Sequence, residues 1–157
     1  MRCRLCCQID IVITSNGGAP LAQNVYQCVK GLTAAEACAD EGAVLIMCAA
    51  LADGHGGEGF YNSLKACESP AALYESIMAT PQDATMPDQW ESQILARILS
   101  NHMVIFVAPP ERKTLLWDMK LEWAPNLESA VQAAKKEKSA AARVTVIPDG
   151  VSVIVNR

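Results

Sequence analysis

Gln27 and Lys30 stand three positions apart in an apolar segment and bring a primary amide and an ammonium group to one place. At i and i+3 on a helix their side chains share a face and can reach one anion together. A plainer explanation competes with that chemistry. A lysine directly before a helix-ending glycine, here Gly31, is well placed against the helix dipole without any ligand, and spacing alone favours this explanation.

The second chemical feature is Gly54-x-Gly56-x-x-Gly59, which follows a strand-like run and precedes a helical one, as a dinucleotide fingerprint does. The surroundings break that pattern, because Ser69-Pro70 opens another helix where a strand ending near an acidic residue is required. A milder expectation survives: glycine amides at a helix N-terminus can hold a carboxylate or phosphate. His55 lies in this loop and is a candidate ligand contact. His102, the other histidine, precedes a strand and falls at the opposite sheet edge, about 17–20 Å away for a strand of ordinary length. That separation excludes acid/base work by paired imidazoles, and no serine or cysteine has an identifiable base beside it for nucleophilic catalysis.

Seven cysteines are an odd number, and Cys28, Cys38 and Cys48 fall inside apolar segments, so reduced, buried thiols are expected. Cys3, Cys6 and Cys7 contain one C-x-x-C half-site, but the remaining cysteines are too scattered to complete a zinc site, and no metal-ligating set is assigned. Trp90, Trp117 and Trp123 are packing residues by default.

These groups must be positioned by helices and strands. Ile9 to Thr14 is a β-branched run ending at Ser15-Asn16-Gly17-Gly18. Pro20 suits the first turn of a helix carrying Val25, Cys28 and Val29; Gly31 offers its stop, and Thr33 with Glu36 forms a capping box for a second helix. Ala43 to Ala49 is the next strand. Helices are predicted over Glu58 to Cys67, from Ser69-Pro70 to about Ala79, and behind Asp88, where Trp90, Ile94 and Ile98 repeat beside Leu95 and Leu99. Met103 to Val107 is a third strand, followed by a short helix near Leu115 to Met119 and one capped by Asn126. Arg143 to Ile147 and Val151 to Val155 flank Pro148-Asp149-Gly150, a hairpin sequence. The predicted fold is α/β and three-layered: a mostly parallel sheet with helices on both faces and a C-terminal β-hairpin.

Hydrophobic residues make up 51% of the 157-residue chain and charged ones 19%, enough apolar surface to fold as a single domain over 1–157. A net charge of −4 gives nucleic acid no basic field to bind. The longest uncharged apolar stretch, Ala43 to Ala52, is about half of what a membrane-spanning helix needs. Gln8 and Asp10 interrupt any signal-peptide core after Met1 to Cys7, so a cytoplasmic location is expected and no membrane partner.

One long segment then weighs against the plainer explanation of Lys30. Asp10-Ile11-Val12-Ile13-Thr14-Ser15-Asn16-Gly17-Gly18-Ala19-Pro20-Leu21-Ala22-Gln23-Asn24-Val25-Tyr26-Gln27-Cys28-Val29-Lys30-Gly31 resembles the opening of the C-terminal domain of nickel-dependent lactate racemases. The resemblance continues through Thr33 to Ala37, the Asp53 to Phe60 loop, Gln89-Trp90 and Pro148-Asp149-Gly150. It implies a nickel-pincer nucleotide derived from nicotinic acid and tethered to a lysine. This cofactor takes hydride from C2 of lactate and returns it to either face, with pyruvate as the transient species. It further implies that Lys30, with Gln27 and Tyr26 beside it, contacts the carboxylate of a small 2-hydroxy acid or an anion of the cofactor, and that Trp90 lines the same cleft; with His55 of the glycine-bearing loop, Tyr26 and Trp90 are the candidate cofactor contacts.

In such enzymes the tethering lysine, the nickel ligand, the acid/base histidines and the main substrate arginine belong to an N-terminal domain, which has no counterpart before Met1. This chain is therefore expected to supply half of an interdomain site, to hold no nickel and to be inactive by itself. Phe60, Tyr26 or Trp90 would then be more exposed than in a complete enzyme, an apolar patch inviting a partner lobe or a second copy of the chain. The alternative is a non-catalytic binding module of the same fold that docks on a separate subunit.

Overall fold

The computed structural model describes residues 2–4 and 9–156, with side chains omitted at 2–4 and 156. The elements follow in the order β1 (Arg2–Arg4), β2 (Ile11–Ser15), α1 (Val25–Cys38), β3 (Val44–Cys48), α2 (Glu58–Ala66), α3 (Pro70–Met78), α4 (Gln89–Asn101), β4 (Met103–Val107), α5 (Lys113–Asp118), β5 (Glu122–Ala124), α6 (Leu127–Glu137), β6 (Val144–Ile147) and β7 (Ile154–Asn156).

Runs such as Val44-Leu45-Ile46-Met47, apolar at every position, suit a strand covered on both faces rather than one with a wet side. Five strands form a sheet in the order β5-β4-β3-β2-β6, with every adjacent pair parallel. Alternate side chains feed two cores. Val12, Leu45, Met47, Val104 and Phe106 pack beneath α1, α2, α4 and α5, while Ile11, Val44, Ile46 and Ile105 meet Ala130 and Ala134 of α6 on the other face. The three-layer α/β arrangement matches the sequence prediction.

The terminal hairpin does not form. β6 joins the main sheet parallel to β2, and β7 pairs in parallel with β1 in a separate two-stranded sheet. Pro148-Asp149-Gly150 makes other bonds: the Gly150 N–H donates to Ser15 O at 2.8 Å, and Asp149 accepts from the Ser152 hydroxyl and the Val151 N–H. The turn is thus tied across the C-terminal ends of β2 and β6 and cannot fold one strand onto the next. Among the described residues the only antiparallel pairing is a lone bridge between Asn16 and Asp149. The three-residue strand β5, too short to show an alternation, was missed in the sequence.

Gly31 does not stop a helix. α1 runs unbroken past it, Thr33 bonds the Lys30 carbonyl instead of capping, and Glu36 pairs with Arg97 of α4 through two hydrogen bonds of 2.6 and 3.1 Å. The glycine is present because there is no room for a side chain. A Cβ at Gly31 would run into Asn16 Oδ1, and one at Gly150 would lie 2.8 Å from the Gly31 Cα, so turn, loop and helix touch through bare backbone. Pro20 likewise does not open α1; it lies in the turn before the helix, which starts behind Asn24.

The C-x-x-C half-site at Cys3, Cys6 and Cys7 lies outside the residues whose side chains are described; Cys28, Cys38, Cys48 and Cys67 are free thiols. No described helix is long and apolar enough to cross a membrane.

Candidate functional site

The first turn of α1 is held by side-chain and loop groups rather than by solvent. Asn24 occupies the N-cap, its Oδ1 accepting the Gln27 N–H at 2.8 Å while its Nδ2 donates to Asp53 at 2.9 Å. The two preceding orphan amides, Val25 and Tyr26, donate to the carbonyls of Gly54 and His55 at 3.0 and 3.1 Å. The glycine-bearing loop therefore turns its carbonyls to α1, and the N-terminus of that helix is already satisfied. Gly56 is required by this contact, since at φ +83 a Cβ would collide with the Asn24 amide. Replacing Asn24 by alanine removes the cap and strands Asp53, and a loss of about 1–2 kcal/mol of stability is expected by urea denaturation.

On this fixed turn stand the predicted residues. Lys30 is exposed and its ammonium donates to Gln27 Oε1 at 2.6 Å, which leaves the Gln27 Nε2 group without a partner among the described residues. Tyr26 is half-buried, packed edge-on against Phe60 at 5.5 Å and Trp90 at 5.9 Å between ring centres. Its hydroxyl donates to Asp88 at 3.1 Å. Desolvation, with the hydrogen bond to Asp88, pushes the phenol up to about 12, so it stays protonated at neutral pH. Trp90 is 51% exposed and presents a bare indole beside this cluster, whereas Phe60 is fully buried.

His55 joins through its backbone alone. Its imidazole accepts the Gly57 N–H at Nδ1, stacks on Tyr61 at 4.8 Å, and turns Nε2 toward Glu58 at 3.4 Å. Tyr61 in turn bonds Asp118, which Lys65 bridges at 3.0 Å. His102 caps the end of α4 with Nδ1 against the Ala43 carbonyl, at the opposite edge of the parallel sheet. Trp117 and Trp123 flank the Lys113 ammonium at 4.5 and 4.8 Å, Trp117 at the surface and Trp123 half-buried against the core with its indole N–H on the Ala108 carbonyl.

The start of α4 differs from expectation. Asp88 stands at the N-cap with a left-handed backbone, φ 60, but its side chain bonds Tyr26 and caps nothing. The buried face of α4 runs through Glu91, Leu95 and Ile98, one position on from the stripe through Trp90 and Ile94. Glu91 was missed in the sequence although i, i+4, i+7 spacing with Leu95 and Ile98 signals it. It is 1% exposed and neither carboxylate oxygen has a partner among the described residues.

A cleft of about 560 Å³ lies above the ends of β2, β3 and β4, lined by Ser15, Gly18, Ala22, Cys48, Ala49 and Val107 among others. None of Tyr26, Gln27, Lys30, Trp90 or His55 lines it. Its walls are small and apolar, and the polar groups that could orient a ligand gather instead on α1 and α4.

A doubly wound parallel α/β lobe that presents an amide, an ammonium and aromatic rings on one open shelf is a class of domain suited to one side of an anion-binding cleft. The chain belongs to the lactate racemase C-terminal domain family, whose pattern it matches over residues 6–155. It is 50% identical over 146 residues to a lactate racemase of Lactiplantibacillus plantarum and 51% identical over 146 residues to one of Thermoanaerobacterium thermosaccharolyticum. Each alignment covers 93% of this chain and 34% of the relative, so the chain spans about a third of their length. The solved structure of the lactate racemase apoprotein from Thermoanaerobacterium thermosaccharolyticum superposes with a TM-score of 0.93 at 49% identity, over 96% of this chain and 36% of that one.

Proposed function

We propose that residues 1–157 act as one lobe of a cytoplasmic 2-hydroxyacid racemase or epimerase and supply the carboxylate-gripping side of a cleft closed by the remainder of a complete protein. The carrying observation is the Lys30–Gln27 pair: with Oε1 engaged, two donors, the ammonium and the free Nε2, stand side by side for a planar anion. Trp90 supplies an exposed apolar wall, and Tyr26, anchored to Asp88, fixes the distance between α1 and α4. The free thiols are consistent with a reducing compartment.

The donor set also fits the implied cofactor in part. An ammonium, an amide and two aromatic rings suit the anionic and aromatic portions of a nickel-pincer nucleotide, not its metal, so the nickel is assigned to the other lobe. When bound, that cofactor supplies reversible acceptance of the hydrogen at C2 of the substrate. Lys30 and Gln27 would hold the substrate carboxylate and so fix C2 in place while it loses hydride, with its bonding electron pair, and becomes planar. Tyr26 and Trp90 keep water from that face.

Purified alone, the chain is expected to bind no stoichiometric nickel and to leave lactate enantiomers unchanged. Mixed with the N-terminal two thirds of the Lactiplantibacillus relative carrying its cofactor, it is expected to restore interconversion, read by chiral chromatography. Racemisation by the chain alone overturns the shared-cleft proposal.

A further inference from the structure

Glu91 is an unusual presence on α4. A carboxylate taken out of water is strongly disfavoured unless it gains hydrogen bonds or a counter-ion. Both of its oxygens lack a hydrogen bond among the described residues, and it stands in the first turn of α4, a helix packed on α1, within electrostatic reach of Lys30 though not in an ion pair with it. From α1 it is faced by Lys30 and Tyr26, and from its own helix start by Asp88. The cations on α4 itself and on α2, which packs on it, have partners elsewhere: Arg97 pairs with Glu36, beside Tyr74 of α3, and Lys65 of α2 with Asp118. Among the described residues, Lys30 is thus the one cation in electrostatic reach of Glu91 with donors to spare, since its ammonium has three and uses one on Gln27.

Resting on the function proposed above, we infer that Glu91 is a positioning residue: its buried carboxylate holds the Lys30 ammonium over the shelf, so that an acid substrate meets a fixed charge rather than a mobile side chain. An unanchored surface lysine samples many rotamers and loses that freedom on binding. A buried counter-ion removes part of that loss beforehand. Burial raises the Glu91 carboxyl to about 7, with Lys30 opposing and Asp88 adding to the rise. The hold is therefore complete above neutral pH and is released as pH falls and the carboxyl protonates.

The test has two arms. In this chain, the ε-carbon resonance of Lys30, followed by NMR from pH 5 to 9, is expected to shift with an inflection near 7 that is absent in Glu91→Gln. Absence of an inflection in the unmodified chain, or its persistence in Glu91→Gln, overturns the inference, and neither result depends on any catalytic activity. In the complete protein, Glu91→Gln is expected to raise KM for the acid about tenfold with kcat little changed, and to flatten the rise in KM below pH 7. An unchanged KM and pH profile in an active Glu91→Gln enzyme overturns the inference as well. A complete protein that turns over no 2-hydroxy acid while the resonance still titrates contradicts the proposed function and leaves the link between Glu91 and Lys30 standing.

Discussion

Lys30→Ala in the complete protein is expected to lower kcat/KM for its 2-hydroxy acid by about a hundredfold, the scale for truncating one partner of a desolvated, hydrogen-bonded charge pair. The same change is expected to cost about 1 kcal/mol of folding stability above pH 7, where it leaves the ionised Glu91 carboxylate without the cation that faces it, and less below pH 7, where that carboxyl is protonated. Lys30→Arg should recover part of the loss, since it restores charge but not the reach and shape of an ammonium. Steady-state kinetics beside urea denaturation separate the two effects. Equal losses in activity and stability would make Lys30 an ordinary structural residue.

The neighbouring position should behave in the opposite way. Gly31→Val forces a side chain into the contact between α1, Asn16 and Gly150, and about 3 kcal/mol of stability is expected to be lost, at the upper end for overpacking. The damage reaches further than the helix. Asn16 Nδ2 bonds the carbonyls of Leu21 and Gln27 at 2.7 Å each, so displacing Asn16 loosens the loop that leads into the site. Gly150→Ala meets the same backbone from the other side, and the two substitutions should be non-additive because they share one contact. A stable Gly31→Val variant with an unshifted unfolding midpoint would show that the loop can move aside.

What was legible in the sequence depended on how local its cause is. The strands at Ile11, Val44 and Met103 announce themselves because burial on both faces demands unbroken apolar runs. Asn126 was recognised as a cap because capping acts over three residues; its side chain accepts the Ser129 N–H at 2.8 Å. Gly31 was misread because a helix-ending glycine and a glycine in close contact carry the same letter, and only the distant Gly150 distinguishes them. The Pro148-Asp149-Gly150 turn was misread for the same reason: its partner, Ser15, is remote in sequence. Spacing puts Lys30 and Gln27 on one helical face, but only the family resemblance makes them the proposed site. Glu91 was not legible, because its importance lies in burial, and a one-residue rotation of the apolar stripe of α4 decides whether position 91 faces water or the core.

The most direct measurement is a structure of the complete protein with a 2-hydroxy acid bound. A carboxylate oxygen of the acid is expected within about 2.7–3.2 Å of Lys30 Nζ, with Gln27 Nε2 as second donor and the Trp90 indole against the ligand. Were the acid instead seated in the alanine-lined cleft above β2 to β4, with Lys30 facing solvent, this shelf would have no part in substrate binding.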